Sequence, residues 1–172
     1  MLFRSADPGN FFWLGESALA RLLLAEVQMA LGKRAAAHDV VVRISTDVAR
    51  LIASDASKIE WQIGLNGSTL ALASQTQESN KAILVEALVT YVAMVRALVK
   101  DGRRLQRGQL LAAATAELQL ARLLDQKGQQ DEAAGHWRAV VESLAPFQQE
   151  SNFHLLTLLA RARLAQIGRA HV

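Results

Sequence analysis

Residues 114–146 read ATAELQLARLLDQKGQQDEAAGHWRAVVESLAP, and they predict two short amphipathic helices separated at Gly128. The apolar stripes at helical spacing are Leu118, Ala121 and Leu124 before the glycine, and Ala133, Trp137, Val140, Val141 and Leu144 after it. Gly128 can adopt the left-handed conformation that ends a helix, and Asp131 is placed to cap the next one. Because so small a hairpin cannot bury its own apolar face, this stretch predicts stacking on neighbouring helices.

This pattern resembles a tetratricopeptide repeat. The matching positions are Leu120, Ala121, Gly128, the Asp131-Glu132-Ala133 run, Trp137 and Pro146. The chain departs from the family at Glu117, where Trp is preferred, and at Leu124, where Tyr is preferred; its proline also comes one residue late. The resemblance implies stacked helical hairpins that bind a protein partner, with Trp137 buried between hairpins.

The upstream sequence indicates the same kind of repeat. The segments Asp7-Pro8-Gly9-Asn10 and Asp55-Ala56-Ser57-Lys58 precede Trp13 and Trp61, which lie 48 residues apart. Such junctions are similar to those of helical repeats appended to bacterial Ser/Thr protein kinases and regulators. This resemblance implies that the chain is a fragment of a bacterial signalling or regulatory protein.

We therefore predict an all-α fold, an α-solenoid of about seven antiparallel helices in a single domain of residues 1–166. The predicted hairpins cover residues 11–54, 57–100 and 104–145, followed by a half-repeat at 149–166. The composition agrees, because 51% of the 172 residues are hydrophobic and only two are prolines.

The last six residues, IGRAHV, equal the translation of a widely used sequencing adapter. We expect residues 167–172 to be a non-native tail and the native sequence to end near Gln166. The alternative is a genuine short tail that ends a helix, for which Gly168 is a natural stop signal. In the first case, helix 149–166 would lack a following helix. It would expose Leu155, Leu156, Leu158 and Leu159, which favours self-association.

The chain carries weak signals for compartment and membrane. Residues 82–99 are apolar, but Glu86 and Arg96 leave only nine residues between them, too few to cross a bilayer. A core helix is the better interpretation, so no membrane partner is expected. The absence of cysteine and of a secretory signal favours the cytoplasm.

The sequence contains no recognisable pattern of catalytic residues, metal ligands or cofactor-binding residues, so we predict no enzyme activity, metal or cofactor. The four histidines have no second ligand at metal-binding spacing, and the carboxylates are spread singly along helix faces. Residues 64–69, GLNGST, can form a phosphate-cradling turn or a close helix crossing or break. The crossing or break is favoured, because no strand precedes the segment.

Basic residues cluster at a predicted turn between hairpins: Lys100, Arg103, Arg104 and Arg107. The net charge of +3 is small and no aromatics are interleaved, which disfavours nucleic acid. A solvated helix start and a contact with an acidic peptide remain open. Since cations oppose the dipole at a helix N-terminus, we select Arg103, Arg104 and Arg107 as candidate partner-binding residues.

Three functions follow from these observations. The leading one is a non-catalytic scaffold that binds a peptide or partner helix in a solenoid groove. The second is a structural or oligomerisation unit. The third is a small helical enzyme or ligand carrier that uses residues 64–69.

Overall fold

The computed structural model describes residues 11–55, 57–76, 81–147 and 149–170, which form helices and no strands. The helices are α1 (Phe11–Ala30), α2 (Arg34–Ser54), α3 (Asn66–Thr76), α4 (Lys81–Lys100), α5 (Arg107–Gln126), α6 (Gln130–Leu144) and α7 (Ser151–Ala170). A π-helical segment, Glu60–Leu65, runs into α3, and a 3-10 turn, Ala145–Phe147, follows α6. The predicted all-α class is confirmed.

The chain divides into two compact units, Met1–Ser79 and Asn80–Val172. In the first unit, α1 and α2 form an antiparallel hairpin, and α3 packs against both. In the second, α4 packs on α5, α5 and α6 form a hairpin, and α7 packs against both of these helices. The predicted hairpin at residues 57–100 has its two helices in different units.

Several predicted segments fall at the edges of the described residues. The Asp7-Pro8-Gly9-Asn10 junction lies outside them, as do Ala56 of the second junction and residues 171–172 of the predicted tail. Helix α7 continues to Ala170, into the predicted tail.

Gly128 ends α5 as predicted. Its φ is +79°, its N–H donates to the Asp125 carbonyl at 2.9 Å, and the next N–H, of Gln129, donates to the Leu124 carbonyl at 3.0 Å. These two bonds define a Schellman motif, which satisfies carbonyls that the helix end leaves unpaired.

Gly32 ends α1 in the same way. Its φ is +73°, and its N–H and that of Lys33 donate to the carbonyls of Met29 and Gln28 at 3.0 and 2.8 Å. The residue after each glycine also has the same conformation, with φ −84° at both Lys33 and Gln129 and ψ of 59° and 61°. The α1–α2 and α5–α6 hairpins therefore use one turn geometry.

The cap predicted at Asp131 is wrong. Helix α6 begins at Gln130, and Gln129 precedes it without a side-chain cap. Asp131 and Glu132 lie in the first turn instead, where negative charge is favourable near the positive end of the helix dipole.

Buried positions repeat from helix to helix. Helices α1, α5 and α7 bury residues at i, i+4 and i+7: Ala18, Leu22, Ala25; Ala114, Leu118, Ala121; Phe153, Thr157, Ala160. The same spacing recurs at Leu65, which ends the π-helical segment, and at Thr69 and Leu72 of α3. Helices α2, α4 and α6 bury a fourth position: Ala37, Val41, Ile44, Val48; Leu84, Leu88, Tyr91, Val95; Ala133, Trp137, Val140, Leu144. From Ala37 to Leu84 is 47 residues, and from Leu84 to Ala133 is 49, close to the spacing of Trp13 and Trp61.

Trp137 is the largest fully buried side chain, with 1% of its surface exposed, as expected. We predict that Trp137→Ala lowers the free energy of unfolding by about 3–5 kcal/mol, because the truncation removes apolar contacts and leaves a cavity. Urea denaturation followed by far-UV circular dichroism measures the change. Trp13→Ala is the matched control, since Trp13 is 59% exposed and its loss should cost less than about 1 kcal/mol. Equal effects of the two substitutions would contradict the central role of Trp137.

Substitution by alanine should change the stability of the protein in opposite directions at two glycines of the α5–α6 hairpin. A Cβ added at Gly128 or at Gly135 meets no atom within 4 Å, but only Gly128 has a positive φ. We expect Gly128→Ala to destabilise the protein by about 1–2 kcal/mol, through backbone strain. Gly135→Ala, inside α6, should stabilise it by about 0.5–1 kcal/mol. Thermal and urea denaturation of both variants measure the difference, and a stabilising Gly128→Ala would contradict it.

Candidate functional site

The second unit contains an open groove of about 670 Å³. Its lining residues are Val95, Arg96, Val99 and Lys100 of α4, Arg103, Arg104 and Leu105 of the following segment, Leu110, Ala113, Ala114 and Glu117 of α5, Ala139 and Ser143 of α6, and Phe147. The volume lies within the range of about 300–1,000 Å³ typical of ligand sites. Small side chains on α5 and α6 create the space, and larger apolar side chains surround it.

The groove exists because α4 and α6 flank α5. Helices α4 and α5 run antiparallel, since Arg96 of α4 pairs with Glu117 of α5 and Lys81 Nζ lies 3.5 Å from Gln126 Oε1. Phe147 also lines the groove, and its ring packs on Phe153 of α7 with centroids 5.3 Å apart.

Arg103 and Arg104 line the groove at the end of α4, not at the start of α5. Gly102, with φ +85°, ends α4 through a third Schellman motif, in which Arg103 N–H donates to the Leu98 carbonyl at 3.0 Å. The sequence interpretation that these arginines oppose a helix dipole is therefore wrong. They follow a helix C-terminus, where positive charge is favourable.

Arg107 has a different environment. It is the first residue of α5 and does not line the groove. Its guanidinium Nη2 lies 3.1 Å from Glu150 Oε1, so an ion pair offsets the unfavourable position of this cation at a helix N-terminus. Gln106 and Gln109 form a capping box at the same end.

A charged cluster of Arg96, Glu117 and His136 lies beside the groove. Glu117 has 13% of its side chain exposed, accepts a hydrogen bond from Arg96, and lies 3.1 Å from His136 Nδ1. Because a carboxylate only accepts, His136 donates from Nδ1. Both donors contact Glu117 Oε1, and the guanidinium charge of Arg96 balances the carboxylate charge.

The sequence pattern does not identify this cluster. His136 has no second ligand at metal-binding spacing, and Glu117 stands out only as a departure from the repeat pattern. A partial signal exists: in an antiparallel hairpin that turns at Gly128, Glu117 lies 11 residues before the glycine and His136 lies 8 after it. The third member, Arg96, belongs to another helix, and only the packing of α4 on α5 brings it there.

Tyr91 is buried in α4, with 3% of its surface exposed. Burial raises the pKa of its phenol strongly, and the negative charge of Glu117 raises that pKa further. Both effects favour the protonated hydroxyl over the tyrosinate ion.

Residues 64–69 form neither a break nor an open turn. Leu65 ends the π-helical segment and Asn66 begins α3, so the chain stays helical through all six residues. A Cβ at Gly64 meets no atom within 4 Å, which argues against a close crossing at that residue. Asn66 and Thr69 line a smaller groove, of about 380 Å³, against α2, and the Thr69 hydroxyl donates to the Leu65 carbonyl at 2.7 Å.

Helix α4 is the one described helix whose length and composition would let it cross a membrane. In this structure it carries Arg96, paired with Glu117, and packs along α5. A core helix of a soluble protein has the same length and composition.

Comparisons with known proteins identify no relative: no family model, no curated protein and no solved structure matches the chain.

Tyr91 is the only tyrosine, so its ionisation can be followed alone. We expect tyrosinate absorbance to stay low in the folded protein well above pH 10, and to develop around the ordinary pKa of 10.0 when urea unfolds the chain. Because the pKa is raised on folding, its contribution to stability is complete below pH 10.0 and is lost as the pH rises further. Glu117→Gln should lower the pKa of Tyr91 in the folded state, by less than unfolding does. A folded protein that titrates like the unfolded one would contradict this assignment.

Proposed function

We propose that this protein is a non-catalytic interaction module that binds a peptide or partner helix in the groove of its second unit. The observation that supports this function is the groove itself, which combines an apolar floor with a rim of cations. Grooves of this kind accept the apolar side chains of a bound segment and leave its backbone near solvent.

The recurring burial pattern supports a repeat architecture of the tetratricopeptide kind. In each unit, an odd-numbered helix packs against the two helices that follow it, as α1 does with α2 and α3 and α5 does with α6 and α7. Consecutive hairpins in a solenoid have this arrangement. On this proposal the protein is a helical-repeat segment of a bacterial cytoplasmic signalling or regulatory protein.

The shape of the groove favours a peptide over an enclosed small molecule. The groove is open to solvent and not an enclosed cavity, so a bound segment need not be buried whole. Ala113, Ala114 and Ala139 leave room above α5 and α6, while Leu110 and Val99 supply apolar surface. We expect one or two large apolar side chains of the partner to enter this space.

Self-association is a second candidate, favoured by α7. Leu155, Leu158 and Leu159 are 59%, 47% and 48% exposed, as predicted, whereas Leu156 is partly buried. A second copy could cover this apolar stripe. Sedimentation velocity over a concentration series tests it: a dimer that Leu155→Glu and Leu159→Glu abolish supports it, and a monomer throughout excludes it.

Blocking the groove tests the leading function. We predict that a random-peptide display library yields binders of the folded chain, and that Ala139→Trp abolishes their binding by placing an indole in the groove. Fluorescence anisotropy with the selected peptides measures affinity, and circular dichroism establishes that the variant is folded.

The matched control is Ala162→Trp, which adds the same side chain to the exposed surface of α7. It should leave the affinity unchanged. A library without any binder sensitive to Ala139→Trp would refute the proposed function.

A further inference from the structure

We infer that the groove binds an acidic, amphipathic peptide segment of another protein, an inference that rests on the proposed function and specifies its ligand. The partner presents apolar side chains to the floor and carboxylates to one edge. The argument comes from the distribution of charge around the groove.

Four described cationic side chains line the groove, and they differ in whether they form an ion pair with a carboxylate. Arg96 is paired with Glu117. Lys100, Arg103 and Arg104 make no ion pair within the described part of the chain, and all three are exposed. Three positive charges at one edge therefore remain available to a ligand.

Glu117 does not oppose this arrangement. Within the described part of the chain it is the one carboxylate that lines the groove, and Arg96 and His136 contact it directly. Its charge is compensated within the protein, so the edge presents a net positive field to an approaching peptide.

The three cations also lie together in the fold. Lys100 is the last residue of α4, and the chain turns at Gly102. Arg103 and Arg104 follow this turn directly. A bound segment therefore meets all of them at the same edge. The floor beside that edge is apolar, which favours a peptide over the sugar–phosphate backbone of a nucleic acid. Among the described lining residues, Phe147 is the only aromatic side chain on which a base could stack.

The experiment uses the peptides selected on the full chain. We expect them to be enriched in Asp and Glu next to Leu, Ile or Phe. For the tightest peptide, replacing each Asp and Glu by Asn and Gln should weaken binding. The double variant R103Q/R104Q should weaken the original peptide about three- to thirtyfold, the loss of two exposed ion pairs. The wild-type affinity should also fall as salt is raised.

The charge-matched control is R122Q/R138Q. It removes two exposed arginines from the same unit, one on α5 and one on α6, and neither lines the groove. Its affinity for the peptide should stay within about twofold of wild type. Because all four substituted side chains are exposed, both variants should fold, which circular dichroism checks.

The remaining outcomes distinguish a failure of the acidic-peptide inference from a failure of the proposed interaction module. Binders that Ala139→Trp blocks, but that lack acidic residues or ignore R103Q/R104Q, would overturn the acidic ligand and leave the interaction module standing. A single-stranded oligonucleotide that displaces the peptide and is itself blocked by Ala139→Trp would overturn the acidic peptide in favour of nucleic acid. A library without groove binders would overturn both.

Discussion

The structure depends on the packing of one apolar stripe of each helix against its neighbours. A helix of four to six turns with apolar residues at i, i+4 and i+7 is marginal alone, because most helical stability in proteins comes from burying such a face. Ala18 and Ala114 begin this stripe on the first helices of the two hairpins, and their small side chains bring the backbones close. The Schellman turns at Gly32 and Gly128 then reverse the chain within three residues, so that the second stripe meets the first.

The same constraint creates the groove. Once α5 packs against α6 and pairs with α4 through Arg96 and Glu117, its alanine-rich N-terminal half lies between two helices that carry larger side chains. Small residues that allow close packing in the hairpin thus leave an open channel where α4 ends. The turn at Gly102 then directs two arginines to the edge of this channel, where the dipole of α4 favours their charge.

Much of the architecture could be predicted from the sequence. Helical periodicity and glycine placement located the first and third predicted hairpins near their observed bounds, since residues 11–54 match α1 and α2 and residues 104–145 match α5 and α6. Spacing also identified Trp137 as a buried residue. The capping role of Asp131 was wrong, because the turn conformation after Gly128 starts α6 one residue before it. The solenoid and its relation to known repeat families remain proposals.

The site was only partly accessible to sequence reasoning. Composition identified the basic cluster, because charge density is a property of the chain, but Arg103 and Arg107 are four residues apart and face different surroundings. One lines a groove and the other pairs with Glu150. The Arg96–Glu117–His136 cluster joins three helices, and neither its members nor the ion pair among them can be derived from spacing along one helix.

The sequence by itself determined the helices, their turns and their apolar faces, because these depend on neighbours within about eight positions. Tertiary structure alone decided which charges remain unpaired, since pairing depends on distances between helices that are far apart in the chain.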